Sequence, residues 1–343
     1  MPIATLPTRV KLYYTDSGKP SEPDYDTIVI VHGVAYNGGT LILPSSPTAL
    51  TSALFSPLNA VLPNNLRIIA YNQRGYRRST PLKRGELNLT SPPDMLAVEY
   101  TIELADFLNF IAYKHWFPRK PIVLGWSKGT NLLIGLASPT FLPPEFRHKG
   151  LSKISAMIMF EAPGNAFGLV PTEDYTTAMM GAFPDGTSEG EKKAITAQRF
   201  SNWISGFYQH QNLDSDTPIY GVEPTGFSAD TLDNQLLARA SEPAMVPLGF
   251  HWTLSSNAKQ REKYAREAIE QKDVPIAMAW NGETAGYIVS AAKAGESMGA
   301  KVYKLDDKGN HLVFAHEPKK FLDGICKVAS DLTGHTVGNP VDE

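Results

Sequence analysis

The sequence predicts an α/β protein: a mostly parallel central sheet flanked by helices, with an inserted and mainly helical cap. Three observations carry that prediction. Short apolar runs rich in β-branched residues recur along the chain, segments of helical period separate them, and one long stretch breaks the alternation. Residues 28–32 (Ile-Val-Ile-Val-His), 66–71, 121–125, 154–160 and 274–280 read as buried strands, and Lys301 to Leu305 as a last one. Residues 94–117 set Leu104, Phe107, Leu108 and Ile111 at i, i+3, i+4 and i+7, with prolines before and after, which predicts an amphipathic helix. Residues 318–333 repeat the pattern with Phe321, Ile325, Val328 and Leu332, and Gly334 stops it. From about 164 to 272 no strand-like run appears, so the expected organisation is a core of residues 1–163 and 273–343 carrying an insertion at 164–272.

Composition narrows the function. The chain has 343 residues, of which 42% are hydrophobic, and 32 basic against 35 acidic side chains leave a net charge of −3. That is enough chain for a large core, and there is no positive field of the kind that grips phosphate backbones, so no nucleic-acid partner is expected. The single cysteine, Cys326, excludes an internal disulfide and a four-cysteine metal site. No apolar run reaches the roughly 20 residues that span a bilayer, and the N-terminus lacks the pattern of a secretory leader. The expectation is a cytoplasmic protein without a membrane partner; the oligomeric state stays open.

The strongest chemical signal is Gly125-Trp126-Ser127-Lys128-Gly129, set between the run Pro121–Leu124 and a helical segment from Thr130 to Ser138. A turn from strand to helix this tight strains the serine backbone, and small residues two positions either side keep the strand and the helix apart. The serine hydroxyl then stands at the positive end of a helix, and the backbone N–H of Lys128 is placed to donate to an oxyanion. An ordinary glycine-rich turn is the bland alternative. Serine is nearly inert at neutral pH, so a base must take its proton, and eight histidines are available.

With Val31-His32-Gly33-Val34 ending an early strand, and Gly309-Asn310-His311 preceding Glu317-Pro318, the chain resembles the α/β-hydrolase superfamily, in its serine branch with a cap domain. The stretch from Tyr71 to Ser79 is similar to a structural segment of that family, with Asn72 and Arg77 departing from its pattern. The resemblance covers residues 28–163 and 274–333 and implies Ser127 as nucleophile, His311 as base, and the N–H of Val34 as second oxyanion donor. His316 is the nearby rival for the base, His251 in the insertion is a candidate substrate contact, and His32 is expected to shape the oxyanion loop. The family's usual aspartate is missing after the strand at 274–280, where Trp280-Asn281-Gly282-Glu283 stands. Some branches take the acid from the end of the preceding strand, which here is Glu161; it is the first choice and Glu283 the second.

Neither a dinucleotide fingerprint, nor a P-loop, nor a tight His/Asp cluster is present, so no cofactor and no metal are expected. Aromatic residues crowd the insertion. Phe167, Trp203, Phe207, Tyr220 and Trp252, together with Trp126, are candidates to line a pocket, against the alternative that the insertion's aromatics form its own small core. The expected activity is hydrolysis of a carboxylic ester or lactone of a mostly apolar small molecule. The alternatives are a ligand receptor on the same fold, or a C–C lyase or acyltransferase using the same serine. Arg74, Arg77 and Arg78 are expected to form a solvated turn with local ion pairs.

Overall fold

The apolar runs become strands of one sheet. The computed structural model describes residues 2–36, 55–83, 93–171, 181–215, 219–228 and 257–338. In chain order the strands are β1 (Ile3–Thr5), β2 (Lys11–Asp16), β3 (Asp26–Val31), β4 (Leu66–Tyr71), β5 (Ile122–Trp126), β6 (Ala156–Phe160), β7 (Gly206–Phe207), β8 (Gly226–Phe227), β9 (Ile276–Asn281) and β10 (Lys301–Asp306). Eight of them form the main sheet in the order β1-β2-β4-β3-β5-β6-β9-β10, and β7 pairs with β8 apart from it. From β4 to β10 every pairing is parallel, whereas β1 and β2 join antiparallel. Strands β3, β4, β5 and β6 are buried along their whole length, as the covered faces of a parallel sheet require.

Two strands escaped the sequence reading. β1 has only three residues, and β2 starts at Lys11 and ends at Asp16, so neither makes a long apolar run. They extend the sheet beyond β4, with β2 paired on both sides and β1 at the edge.

The helices are α1 (Pro93–Lys114), α2 (Gly129–Ala137), α3 (Pro144–Leu151), α4 (Glu189–Ser205), α5 (Ala258–Glu270), α6 (Gly286–Ser297), α7 (Val313–His316) and α8 (Pro318–Thr333). α1 and α8 fall where the periodicity set them, and Gly334 ends α8 in the left-handed conformation at φ 75°. α2 is buried at every residue but Asn131 and packs on α1, α3 and α5, which makes it the central helix of its layer. α4 is opened by a reciprocal cap, with Ser188 Oγ receiving the Glu191 N–H while the Glu191 carboxylate receives the Ser188 N–H at 2.8 Å.

Within the 164–272 stretch, α5 packs against α2 and against the 3-10 turn Gly164–Phe167, in the helix layer of the main sheet. Among the described residues, aromatics of that stretch join the main core. Phe167, Phe200, Trp203 and Tyr208 belong to the same continuous apolar cluster as the sheet. No helix of the described residues is long and apolar enough to cross a membrane.

Candidate active site

β5 ends at Trp126, and the next residue, Ser127, sits at φ 54°, a left-handed conformation that a non-glycine residue adopts only where its surroundings impose it. The surroundings are specific. The Ser127 N–H donates to Phe160 O on β6 at 2.9 Å, and α2 starts two residues later. A Cβ on Gly129 would collide with the Val31 carbonyl oxygen and come within 2.9 Å of His32 O, and one on Gly125 would lie 2.8 Å from Leu133 Cδ1. Those contacts are why both glycines flank the serine. Gly33 closes the other side, because a Cβ there would lie 2.8 Å from Ser127 Cβ and 3.3 Å from its Oγ. The backbone of the 32–35 loop therefore passes directly beside the serine side chain.

That loop is held from behind. The Gln73 N–H donates to His32 Nε2 at 3.0 Å, and Gln73 Nε2 donates to His32 O at 2.6 Å. The Ala35 N–H donates to the Tyr76 hydroxyl at 3.0 Å, with Ala35 itself at φ 66°. His32 Nδ1 pairs with Gly33 O at 2.7 Å, so the ring is neutral with its proton on Nδ1, and complete burial pushes its pKa down to about 4. A ring so committed shapes the loop and moves no proton. The 71–79 segment is thus a buttress. Its Arg74 departs from the expected solvated turn: it is buried, paired with Glu99 at 2.6 Å and Glu103 at 2.7 Å.

β6 ends in a second distorted residue, Glu161, at φ 53° and fully buried. One carboxylate oxygen accepts the Asn281 N–H at 2.7 Å; the other accepts the Thr284 hydroxyl and faces His311 Nδ1 at 3.0 Å. The His311 proton facing a carboxylate sits on Nδ1, which leaves Nε2 as the acceptor; that atom is buried and makes no hydrogen bond to any described residue. His311 is anchored on the serine's own strand, since its carbonyl accepts from Trp126 Nε1 at 3.1 Å and the two rings lie 5.1 Å apart. Ser127 keeps 6% of its surface exposed and His311 2%. Such an array can abstract a hydroxyl proton and hold the resulting imidazolium against a buried carboxylate.

Glu283 stands elsewhere. It is half-buried, its backbone pairs with Gly309 and Tyr208, and its carboxyl is raised by burial, then lowered by Lys308 and raised by Asp306. His316 is also no rival base, because its Nε2 is bonded to Asn310 Oδ1 at 2.9 Å. Lys128 is buried, and burial followed by repulsion from Arg261 holds its ammonium well below the usual lysine range. Val34 is buried on the loop beside Ser127.

The pocket candidates divide. Trp126 is wedged among Tyr36, Phe55 and Phe314, and Phe167 and Trp203 lie within the continuous core. Phe207 is half-buried with its ring 5.5 Å from His316, and Tyr220 covers Gly286 at the start of α6. Trp252 and His251 lie outside the described residues. Two residues that sequence reasoning passed over bind the site together: Thr284, on the Glu161 carboxylate, and Asn310, beside His311. The signals available were the place of Asn310 immediately before His311 and that of Thr284 immediately after Glu283.

No family model and no curated protein sequence matches this chain. Solved structures do. A bromoperoxidase from Bacillus anthracis aligns over 96% of this chain and 100% of its own, at 15% identity and a TM-score of 0.57. An esterase, RhEst1, from Rhodococcus sp. ECU1013 aligns over 96% and 98%, at 16% identity and a TM-score of 0.54. A meta-cleavage product hydrolase from Pseudomonas fluorescens IP01 aligns over 96% and 98%, at 13% identity and a TM-score of 0.53. With its mostly parallel eight-stranded sheet and flanking helices, the chain has the α/β-hydrolase fold.

Proposed function

We propose that this protein is a serine hydrolase that cleaves a carboxylic ester or lactone of a mostly apolar small molecule through an acyl-enzyme. The observation that carries the reading is the 3.0 Å contact of His311 Nδ1 with the buried Glu161 carboxylate, on a ring whose Nε2 is left without a partner among the described residues. Ser127 Oγ attacks the carbonyl carbon while its proton passes to His311 Nε2, and Glu161 stabilises the imidazolium. The N–H groups of Val34 and Lys128 receive the oxyanion, each worth about 3 kcal/mol in comparable sites. Collapse expels the alcohol, which takes the proton from His311. Water, deprotonated by the same ring, then releases the acid and restores the serine.

The apolar setting favours an uncharged substrate: Trp126, Phe55 and Phe314 wall the histidine side, and Phe207 lies over His316. A helical cap built from part of residues 164–272 belongs to the same reading. A pure receptor on this fold has no use for a histidine aligned on a buried carboxylate beside a strained serine, which is why turnover is preferred.

Incubation with a fluorophosphonate, followed by turnover of p-nitrophenyl esters from acetate to longer acyl chains, tests the proposal. The expected result is one label per chain, located on Ser127, and saturable ester hydrolysis. Absence of both overturns it, and labelling without ester turnover redirects it to a C–C lyase or acyltransferase.

A further inference from the structure

Asn310 is fully buried and lies next to His311. Its Nδ2 donates to Ser228 Oγ at 2.7 Å, Ser205 O at 2.9 Å and Gly206 O at 3.3 Å, all contributed by the 164–272 stretch. Its Oδ1 accepts from the Leu312 N–H at 3.0 Å and from His316 Nε2 at 2.9 Å. Its backbone carbonyl accepts from Asn281 Nδ2 at 3.1 Å and from the Val313 N–H at 3.2 Å. The orientation of the amide is not a free choice. Two of its partners on one side are carbonyls, which only accept, and the Leu312 N–H on the other side only donates. Both ends of the amide are therefore spent, with the donor end on the insertion and the acceptor end on the turn that follows His311.

Resting on the serine-hydrolase reading, we propose that Asn310 is a positioning residue that couples the seating of Ser205, Gly206 and Ser228 to the orientation of His311. Three pieces of chain meet at this side chain and its carbonyl: the end of β9 through Asn281, the insertion through Ser205, Gly206 and Ser228, and α7 with the turn before it through Leu312 and His316. His311 is held at its ring by Glu161 and at its carbonyl by Trp126, and Asn310 anchors the backbone on either side of it, through its own carbonyl and through the Leu312 N–H. Loss of the insertion contacts leaves the amide N–H groups unpaired in a buried setting, and relief of that cost moves the backbone that carries the base.

The experiment measures p-nitrophenyl acetate turnover per fluorophosphonate-reactive site, with the labelling taken to its end point, in the wild type and in Asn310→Ala, Ser228→Ala and the double variant. Asn310→Ala is expected to lower kcat per reactive site by about tenfold or more, with KM unchanged within a few-fold. Ser228→Ala, which removes one of three acceptors, is expected to produce a smaller fall of the same kind, and the double variant to be no slower than Asn310→Ala alone. A merely structural role reduces the number of reactive sites and the melting temperature while leaving kcat per site intact; that result overturns the inference. Should Asn310→Ala fail to fold, unchanged kcat per site in Ser228→Ala overturns it equally. A wild type that neither labels nor turns over esters defeats the hydrolase reading itself, and the coupling falls with it.

Discussion

Strands β5 and β6 lie side by side and end in the same backbone distortion, Ser127 at φ 54° and Glu161 at φ 53°, yet the chain around the two turns is different. At Ser127 the chain enters α2 at once, so that Gly129 meets the Val31 carbonyl and Gly125 meets Leu133 of that helix, and a glycine is required two residues before and two after. At Glu161 the residues in those places are Met159 and Pro163, because the chain runs on through Pro163 into a single 3-10 turn, Gly164–Phe167, and no helix is driven back onto the sheet. The second turn is held by hydrogen bonds instead: its N–H donates to Ala279 O at 2.9 Å, and its carboxylate is taken up by Asn281, Thr284 and His311. A turn enforced by steric contact leaves glycines in the sequence. One enforced by distant partners leaves no local mark.

Substitutions at the two turns test that difference. The largest effect is expected for Ser127→Ala, which should lower kcat on p-nitrophenyl esters by about 10⁴-fold or more and abolish fluorophosphonate labelling. Next comes Glu161→Gln. It preserves volume but turns one acceptor oxygen into a donor facing groups that themselves donate, and kcat should fall by about 10²- to 10⁴-fold, whereas Glu283→Gln should stay within about twofold. A kcat loss of equal size in both variants would remove Glu161 from the role argued for it. Gly129→Ala should cost about 3 kcal/mol of stability, read from urea unfolding, because the atoms in its way are backbone oxygens that cannot step aside.

A smaller, pH-dependent effect comes from the loop that faces the first turn. His32 is held near 4 in the folded protein, below the ordinary histidine value, so between about pH 6.5 and 4 the unfolded chain binds the extra proton and the native state does not. Stability is therefore expected to decline as pH falls through that window, by about 3 kcal/mol from this one group, and to lose no more of its contribution below it. Urea midpoints measured across the window should follow this slope, and replacing His32 with Asn should flatten it. A flat wild-type profile would mean that the ring charges freely in the native state.

Much of the core could be anticipated from local pattern. The strand runs at 66–71 and around 28–32 and the helix of 318–333 depend on burial acting within a few residues, and the turn at Ser127 on sterics against its own helix and the adjoining strand, and these set residue types directly. Strands β1 and β2 could not be read, because β1 has only three residues and β2 mixes Lys11, Thr15 and Asp16 with its apolar residues. For the insertion's aromatics, a separate small core could not be told from packing on the main sheet. A contact of Trp203 or Phe167 with the main cluster and a contact within the insertion place the same demand on the residue, namely that it be large and apolar.

Residue spacing along the chain was thus enough to set the strand-turn-helix at Ser127, since clashes there act between atoms fewer than ten positions apart or against the adjoining strand. It could rank Glu161 ahead of Glu283 only through the family resemblance, for the partner of Glu161 lies 150 residues away and both carboxylates follow apolar strands. The structure separates the two, because β6 and β9 pair in parallel and bring the Asn281 N–H, the Thr284 hydroxyl and His311 around the single buried carboxylate of Glu161. The bonds Asn310 makes to Ser205, about a hundred positions upstream, have the same origin. Hydrogen bonds between distant segments form only where folding has already excluded water, and a one-dimensional pattern holds no record of which polar residues will meet there.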